Sequence, residues 1–136
     1  MTDFLIRQDH KKLEIKSKGK IIKFLRSQQT GRIASIDESG FPQIIPMNFV
    51  FINDTVYMHS HIRGEKLDNI RRNQKVGFEV DKSLEFLPSY FSDPTDASLA
   101  DTLYISVVIK GNASIVSNKE EKTIALNGLM KKYQPE

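Results

Sequence analysis

The segment from residue 58 to residue 66 carries the residue types that are best able to do chemistry. A strand pattern ends there and a helix pattern begins at Gly64, so unpaired N–H groups and the positive end of a helix dipole would face an incoming anion. The segment also supplies hydrogen-bond donors of suitable charge for a phosphate. These donors are His59, Ser60, His61, Arg63 and Lys66. The pattern predicts a phosphate site, and the alternative is a surface turn with scattered charges.

Other kinds of chemistry have weaker support. The two histidines would share one face of a strand, but Glu65 lies beyond the turn and His10 is distant, so the three or four ligands of a metal site are not expected. The pair Glu79 and Asp81 is interpreted as solvated rather than as an acid–base dyad. The sequence has no Gly-x-Ser-x-Gly elbow, P-loop or Gly-x-Gly-x-x-Gly fingerprint, which disfavours the usual hydrolase, kinase and Rossmann classes.

Composition limits the protein class further. The 136 residues suffice for one domain, and 39% hydrophobic with 27% charged residues is typical of a globular chain. No apolar run is long enough for a membrane span, and there is no cysteine, which fits a reducing cytosol. The net charge of +3 comes largely from lysines before residue 27. No aromatic residues alternate with these lysines, so a solvated helix face is favoured over nucleic-acid binding.

The spacing of apolar residues predicts the helices and strands that would position these side chains. An amphipathic helix is predicted over 17–28, strands over 32–36 and 43–52, and a hairpin through Asn53-Asp54 into 55–59. Pro46 lies inside the second strand and requires a bulge or a sheet edge there. Further along, the pattern predicts a helix over 64–73, a strand over 76–80, an irregular loop over 82–100, one or two strands over 104–116 broken near Gly111, and a helix opened by a capping box at 117–120. Its apolar face would contain Ile124, Leu126, Leu129, Met130 and Tyr133. Such an order favours a barrel or a curled antiparallel sheet.

Taken in order, several motifs resemble one known family. They are Gly31-Arg-Ile-Ala-Ser-Ile-Asp, Gly40-Phe-Pro-Gln-Ile-Ile-Pro-Met-Asn-Phe-Val, Val56-Tyr-Met-His-Ser-His, Gly64-Glu-Lys-Leu-Asp-Asn-Ile-Arg-Arg-Asn and Gly77-Phe-Glu-Val-Asp. Together with residues 104–111 and the final helix, they are similar to the pyridoxamine-phosphate-oxidase-like, FMN-binding split-barrel family, most of all to its Nim-type (nitroimidazole-reductase-like) branch. The resemblance covers about residues 20–134. It implies a mostly β fold, a six-stranded split β-barrel with short flanking helices over 17–136, after an N-terminal arm over 1–16.

The resemblance also implies a cofactor and its contacts. FMN would lie at the interface of a cytoplasmic homodimer, with the isoalloxazine against one strand edge, the ribityl-phosphate at the end of the hairpin, and two residues reaching in from the partner subunit. The implied contacts of the isoalloxazine are Pro46, Met47 and Asn48. Those of the ribityl-phosphate are His59, Ser60, His61, Arg63 and the phosphate-binding Lys66. The residues implied from the partner subunit are Tyr104 and Ser106.

The implied activity is that of an FMN-dependent oxidoreductase, either a flavin reductase or a nitroreductase-like enzyme. A nicotinamide donor and a small-molecule acceptor are expected, with His59 or His61 as a candidate catalytic group. The alternative is a non-catalytic flavin- or haem-binding module. The C-terminal arginine signature of true pyridoxamine-phosphate oxidases is missing, which disfavours vitamin-B6 oxidation. Relatives often continue beyond the position of Glu136, so a truncated or minimal version is expected.

Overall fold

The computed structural model describes residues 2–7, 18–60, 64–87, 95 and 101–135. Within these residues the chain forms three helices and seven strands. In chain order they are β1 (Thr2–Arg7), α1 (Lys18–Ser27), β2 (Thr30–Ile36), β3 (Pro42–Asn48), β4 (Val50–Ile52), β5 (Thr55–Tyr57), α2 (Glu65–Arg72), β6 (Lys75–Leu87), β7 (Asp101–Ala113) and α3 (Lys119–Tyr133).

The strands form one antiparallel sheet in the order β3-β2-β6-β7-β1-β5-β4. The two strands at the ends of this order, β3 and β4, are separated in the chain by Phe49 alone. The sheet must therefore curl until its two edges meet at that residue, which makes it a split barrel. The predicted fold class is confirmed, and the sheet has six strands when the bent run 42–52 is counted once.

The hairpin and the edge strand follow their local sequence signals. Asn53 and Asp54 have φ angles of 51° and 60°, as a two-residue turn between twisted strands requires, and Ile52 pairs with Thr55 across it. β3 is an edge strand among the described residues, which is where a sheet tolerates a proline such as Pro46. Both predictions are confirmed.

The barrel interior is filled from the inward faces of the strands. Phe49 and Phe78 are almost fully buried, and their rings meet edge to face at a centroid distance of 5.1 Å. Gly31 is required at its position because a Cβ atom there would lie 2.1 Å from the Phe78 ring. Helices α1 and α2 close this core with Ile21, Leu25 and Ile70.

The C-terminal helix α3 covers the junction between β3 and β4. The Tyr133 hydroxyl accepts a hydrogen bond from the Phe49 N–H at 2.8 Å and lies 2.6 Å from the Gln29 carbonyl. The Lys132 ammonium donates to the Phe49 carbonyl at 2.9 Å and lies 3.7 Å above the Phe49 ring. The backbone groups of the residue between the two strands are thus satisfied by α3 instead of by a ladder.

Two strand predictions were wrong at their ends. Residues 82–87, predicted as loop, continue β6, and β7 runs unbroken through Gly111, which pairs with Val76. Positions 81–84 are all exposed, so no alternation of buried and exposed residues marks this part of the strand in the sequence. Cross-strand hydrogen bonding to β7 determines the conformation instead.

The start and packed face of α3 also differ from the prediction. Asn118, not Ser117, is the N-cap, and its side chain accepts from the Glu121 N–H at 3.0 Å. Ala125 is buried, whereas Ile124 and Met130 are more than half exposed.

The N-terminal residues contribute to the sheet. β1 lies between β7 and β5, with Thr2 opposite both Ala113 and Val56. Residues 8–17 lie outside the described part of the chain, so a domain boundary at residue 17 stays a prediction. No helix among the described residues is both long and apolar enough to cross a membrane.

Candidate functional site

Lys66 lies in the first turn of α2 with its ammonium against the edge strand. Its Nζ donates to the Met47 sulfur at 3.3 Å, a weak acceptor for a charged donor. Burial lowers the pKa of the Lys66 ammonium, and no ion pair among the described residues includes it. A half-buried cation without a carboxylate partner is favourable for binding an anion, because the anion replaces the lost hydration.

The start of α2 supports the same chemistry. Gly64 is the N-cap, with a φ angle of 144° that strains any other residue, and no side chain caps the helix. The N–H groups of the first turn are therefore left to water or a ligand. Glu65 and Asp68 are exposed in this turn and weaken its positive field, which makes Lys66 the more important attraction for an anion.

Among the described strands, β3 pairs only with β2 and leaves its other backbone edge unpaired beside this helix. Pro46 lies opposite Arg32, and because proline has no N–H, this pair occupies the position whose backbone groups point away from β2. By alternation, the main-chain groups of Ile44 and Asn48 also point outward. The side chains alternate too: Met47 is half-buried towards the core and Lys66, whereas Pro46 and Asn48 are exposed. Of the implied residues, Met47 and Lys66 are in contact.

The segment that follows β5 leads from the hairpin to α2. Met58 is buried, His59 is exposed and Ser60 is half-buried, so the chain leaves the core at this point. His61 and Arg63 lie outside the described residues, and their assigned roles stay predictions. Among the described side chains, no three carboxylate or imidazole groups converge as a metal site.

Tyr104 and Ser106 do not join Lys66 within one chain. Both lie on β7, which β2 and β6 separate from β3. Tyr104 is 54% exposed, and the Ser106 hydroxyl donates to a Glu79 carboxylate oxygen at 3.3 Å. Their contact with a cofactor held by a partner subunit, which the family resemblance implies, stays a prediction.

Glu79 and Asp81 stay partly exposed, and both pair with the same cation. Arg32 bridges them across the outer face of the sheet, at 2.7 Å to Glu79 and 3.3 Å to Asp81. Partial burial, together with hydrogen bonding to Asp81, raises the pKa of Glu79 against the opposing effect of Arg32. The register predicts this contact only once β2 and β6 are known to be neighbours.

Asn69 is a further residue that sequence reasoning missed. It is 1% exposed and lies one helical turn after Lys66, facing β2 and β3. Its amide nitrogen donates to Gln43 at 3.0 Å and to Ser35 at 3.3 Å. Its amide oxygen accepts from the Arg72 guanidinium at 3.0 Å. Asn69 lies off the apolar face that Leu67 and Ile70 give the predicted helix, so its position in the sequence carries no signal of burial.

The fold and site together define a class of protein. A curled antiparallel sheet with, within the described residues, an edge strand, an uncapped helix start and a lysine without a carboxylate partner beside that edge defines a split-barrel domain with a candidate anion site. The chain belongs to the pyridoxamine 5′-phosphate oxidase family, whose model matches residues 17–136. The family resemblance inferred from the motifs is confirmed.

Solved structures agree with the fold. A Bacteroides thetaiotaomicron protein with a proposed role in 5-nitroimidazole antibiotic resistance aligns with a TM-score of 0.75 at 23% identity, over 100% of this chain and 73% of its own. A conserved hypothetical protein of Mycobacterium tuberculosis gives 0.73 at 21%, over 94% and 70%. An FAD- and haem-binding protein of Mycobacterium smegmatis gives 0.74 at 14%, over 89% and 56%. No curated protein matches the chain.

Proposed function

We propose that this protein binds FMN at the interface of a homodimer and uses it to oxidise or reduce a small molecule. The observation that carries the proposal is Lys66, a half-buried ammonium without a carboxylate partner among the described residues, at the uncapped start of α2. The FMN phosphate would bind there. The isoalloxazine would lie along β3, where the outward main-chain groups of Pro46 and Asn48 offer hydrogen bonds.

The comparisons support a flavin as the cofactor and leave its identity to experiment. One structural neighbour is described as binding FAD and haem, and another is linked to 5-nitroimidazole resistance. When bound, a flavin supplies the electron-transfer chemistry, and the protein contributes binding, orientation and exclusion of water. A nicotinamide donor and a nitroaromatic acceptor fit this proposal. His59, exposed at the end of the hairpin, would donate a hydrogen bond or proton to the acceptor.

The ribbon formed by the far ends of β6 and β7 supports the dimer. Residues 82–87 pair only with β7 among the described strands, and Leu84 and Tyr104 are each 54% exposed. Two-stranded ribbons are marginal in water, and covering one face with a second subunit would stabilise it. Tyr104 and Ser106 would then lie close to the partner's cofactor.

A second candidate is a non-catalytic flavin- or haem-binding module. The Mycobacterium smegmatis relative, described as binding both FAD and haem, favours it. An exposed histidine such as His59 is a suitable axial ligand for haem.

The test uses the purified protein. We expect a flavin absorption spectrum, release of FMN on denaturation with its mass confirmed, a dimer by light scattering, and oxidation of a reduced nicotinamide that accelerates when a nitroaromatic is added. Release of FAD would correct the cofactor, and a Soret band without flavin would favour the haem module. FMN bound without turnover of any donor would remove the enzyme and keep the binding site.

A further inference from the structure

Asn69 connects α2 to the barrel through a fully bonded, buried amide. Both ends of the amide are satisfied: Gln43 and Ser35 accept from its nitrogen, and the Arg72 guanidinium donates to its oxygen at 3.0 and 3.4 Å. Asn69 and Ser35 are each 1% exposed. A buried amide whose nitrogen and oxygen are both bonded holds one geometry, since any displacement leaves polar groups without partners.

Among the described residues, this amide makes one of two side-chain hydrogen bonds between α2 and the edge strand. Lys66 contacts Met47, and Asn69 contacts Gln43, so the helix runs antiparallel to β3. The step between the two contacts is about 4.5 Å along the helix and about 13 Å along the strand. The Lys66 side chain must therefore extend along β3 to reach Met47. The Asn69 contact is short and rigid, whereas the Lys66 contact is long and flexible.

We propose that Asn69 is a positioning residue that gives the site its preference for a phosphorylated flavin over an unphosphorylated one. By fixing α2 on β3, Asn69 determines the position of the Lys66 backbone and the direction of the N–H groups in the first turn. The isoalloxazine contacts proposed for Pro46 and Asn48 do not depend on α2. The inference rests on the proposed phosphate site, and it predicts that loss of Asn69 affects the phosphate end alone.

The test compares FMN with riboflavin, which lacks the phosphate. Asn69→Leu keeps the approximate size of the side chain and removes every bond of the amide. We expect the ratio of riboflavin to FMN dissociation constants to fall roughly tenfold or more, as when an orienting partner is lost, while riboflavin affinity changes by less than about threefold. Both constants are measured by quenching of flavin fluorescence. Asn73→Ala is the matched control, because within the described part of the chain this C-cap side chain accepts only from the Lys75 N–H and should leave the ratio unchanged.

The possible results separate the inference from the proposed function. If the unmodified protein binds riboflavin as tightly as FMN, the phosphate site itself is wrong. If it prefers FMN and Asn69→Leu retains that preference, the role of Asn69 is refuted and the phosphate site survives. Should Asn69→Leu fail to fold, Gln43→Leu removes the β3 end of the same contact on an edge strand, and its ratio is interpreted in the same way.

Discussion

Replacing Lys66 with methionine tests the candidate site directly. Methionine keeps an unbranched apolar stem against Met47 and removes only the charge, so the packing of α2 on β3 should survive. In the free protein the ammonium has a weak thioether acceptor and a pKa lowered by burial. A phosphate oxygen would replace that weak interaction with a charge-assisted hydrogen bond.

The expected size of the effect follows from this exchange. A hydrogen bond to a charged group contributes about 1.5–3 kcal/mol, which corresponds to a rise in the FMN dissociation constant of roughly 10- to 150-fold. The upper part of this range applies if the site is dry, and the lower part if water reaches the ammonium. Riboflavin affinity should stay unchanged, since the lost charge faces only the phosphate.

The assay is fluorescence titration of the Lys66→Met variant with FMN and with riboflavin. Lys75→Met is the control, because Lys75 is an exposed lysine just beyond α2 and belongs to no ion pair among the described residues. Thermal unfolding of both variants checks that the fold is retained. Equal FMN affinity in the two variants and in the unmodified protein would refute an anion site at Lys66.

Three further predictions concern the barrel and its C-terminal helix. Gly31→Ala should destabilise the fold by about 3 kcal/mol or more in urea unfolding, because its Cβ would overlap a buried aromatic ring, whereas Gly77→Ala, which has open space, should be nearly neutral. Tyr133→Phe should cost about 1–3 kcal/mol in the same assay, since the Phe49 N–H loses its acceptor. Burial lowers the pKa of Lys132 from 10.5 to about 8, so the folded state binds fewer protons than the unfolded state between these values. The free energy of unfolding should therefore rise with pH from about 8 towards 10. Urea unfolding of the Lys132→Met variant should not show this rise.

Local signals in the sequence account for the parts of the fold that could be predicted. Asn53 and Asp54 take the positive φ angles that a tight hairpin needs, and Pro46 excludes a central strand. Gly64 begins a helix with Lys66 in its first turn, and the anion site inferred from this pattern stays a prediction. Each of these signals depends on a few adjacent residues.

The parts that could not be predicted depend on residues far apart in the chain. Positions 81–84 of β6 are all exposed, so the strand conformation there comes from pairing with β7, which is distant in the chain. Asn69 is typical of a solvated helix position until β2 and β3 bring Ser35 and Gln43 against it. The apolar run is also divided at Phe49 into two strands, β3 and β4, which lie at opposite edges of the sheet. This division changes the number of strands and does not follow from the local sequence.

Phe49 connects the stability of the barrel to the chemistry of its edge. β3 ends just before this residue and is an edge strand among the described residues, and an unpaired edge invites aggregation unless something covers it. Prolines at both 42 and 46 remove donors from that edge, which discourages pairing with another strand. The carbonyls that remain suit a ligand rather than a neighbouring strand. The contacts of Lys132 and Tyr133 with Phe49 hold the break in place, so loosening α3 should weaken flavin binding even though α3 does not line the proposed site.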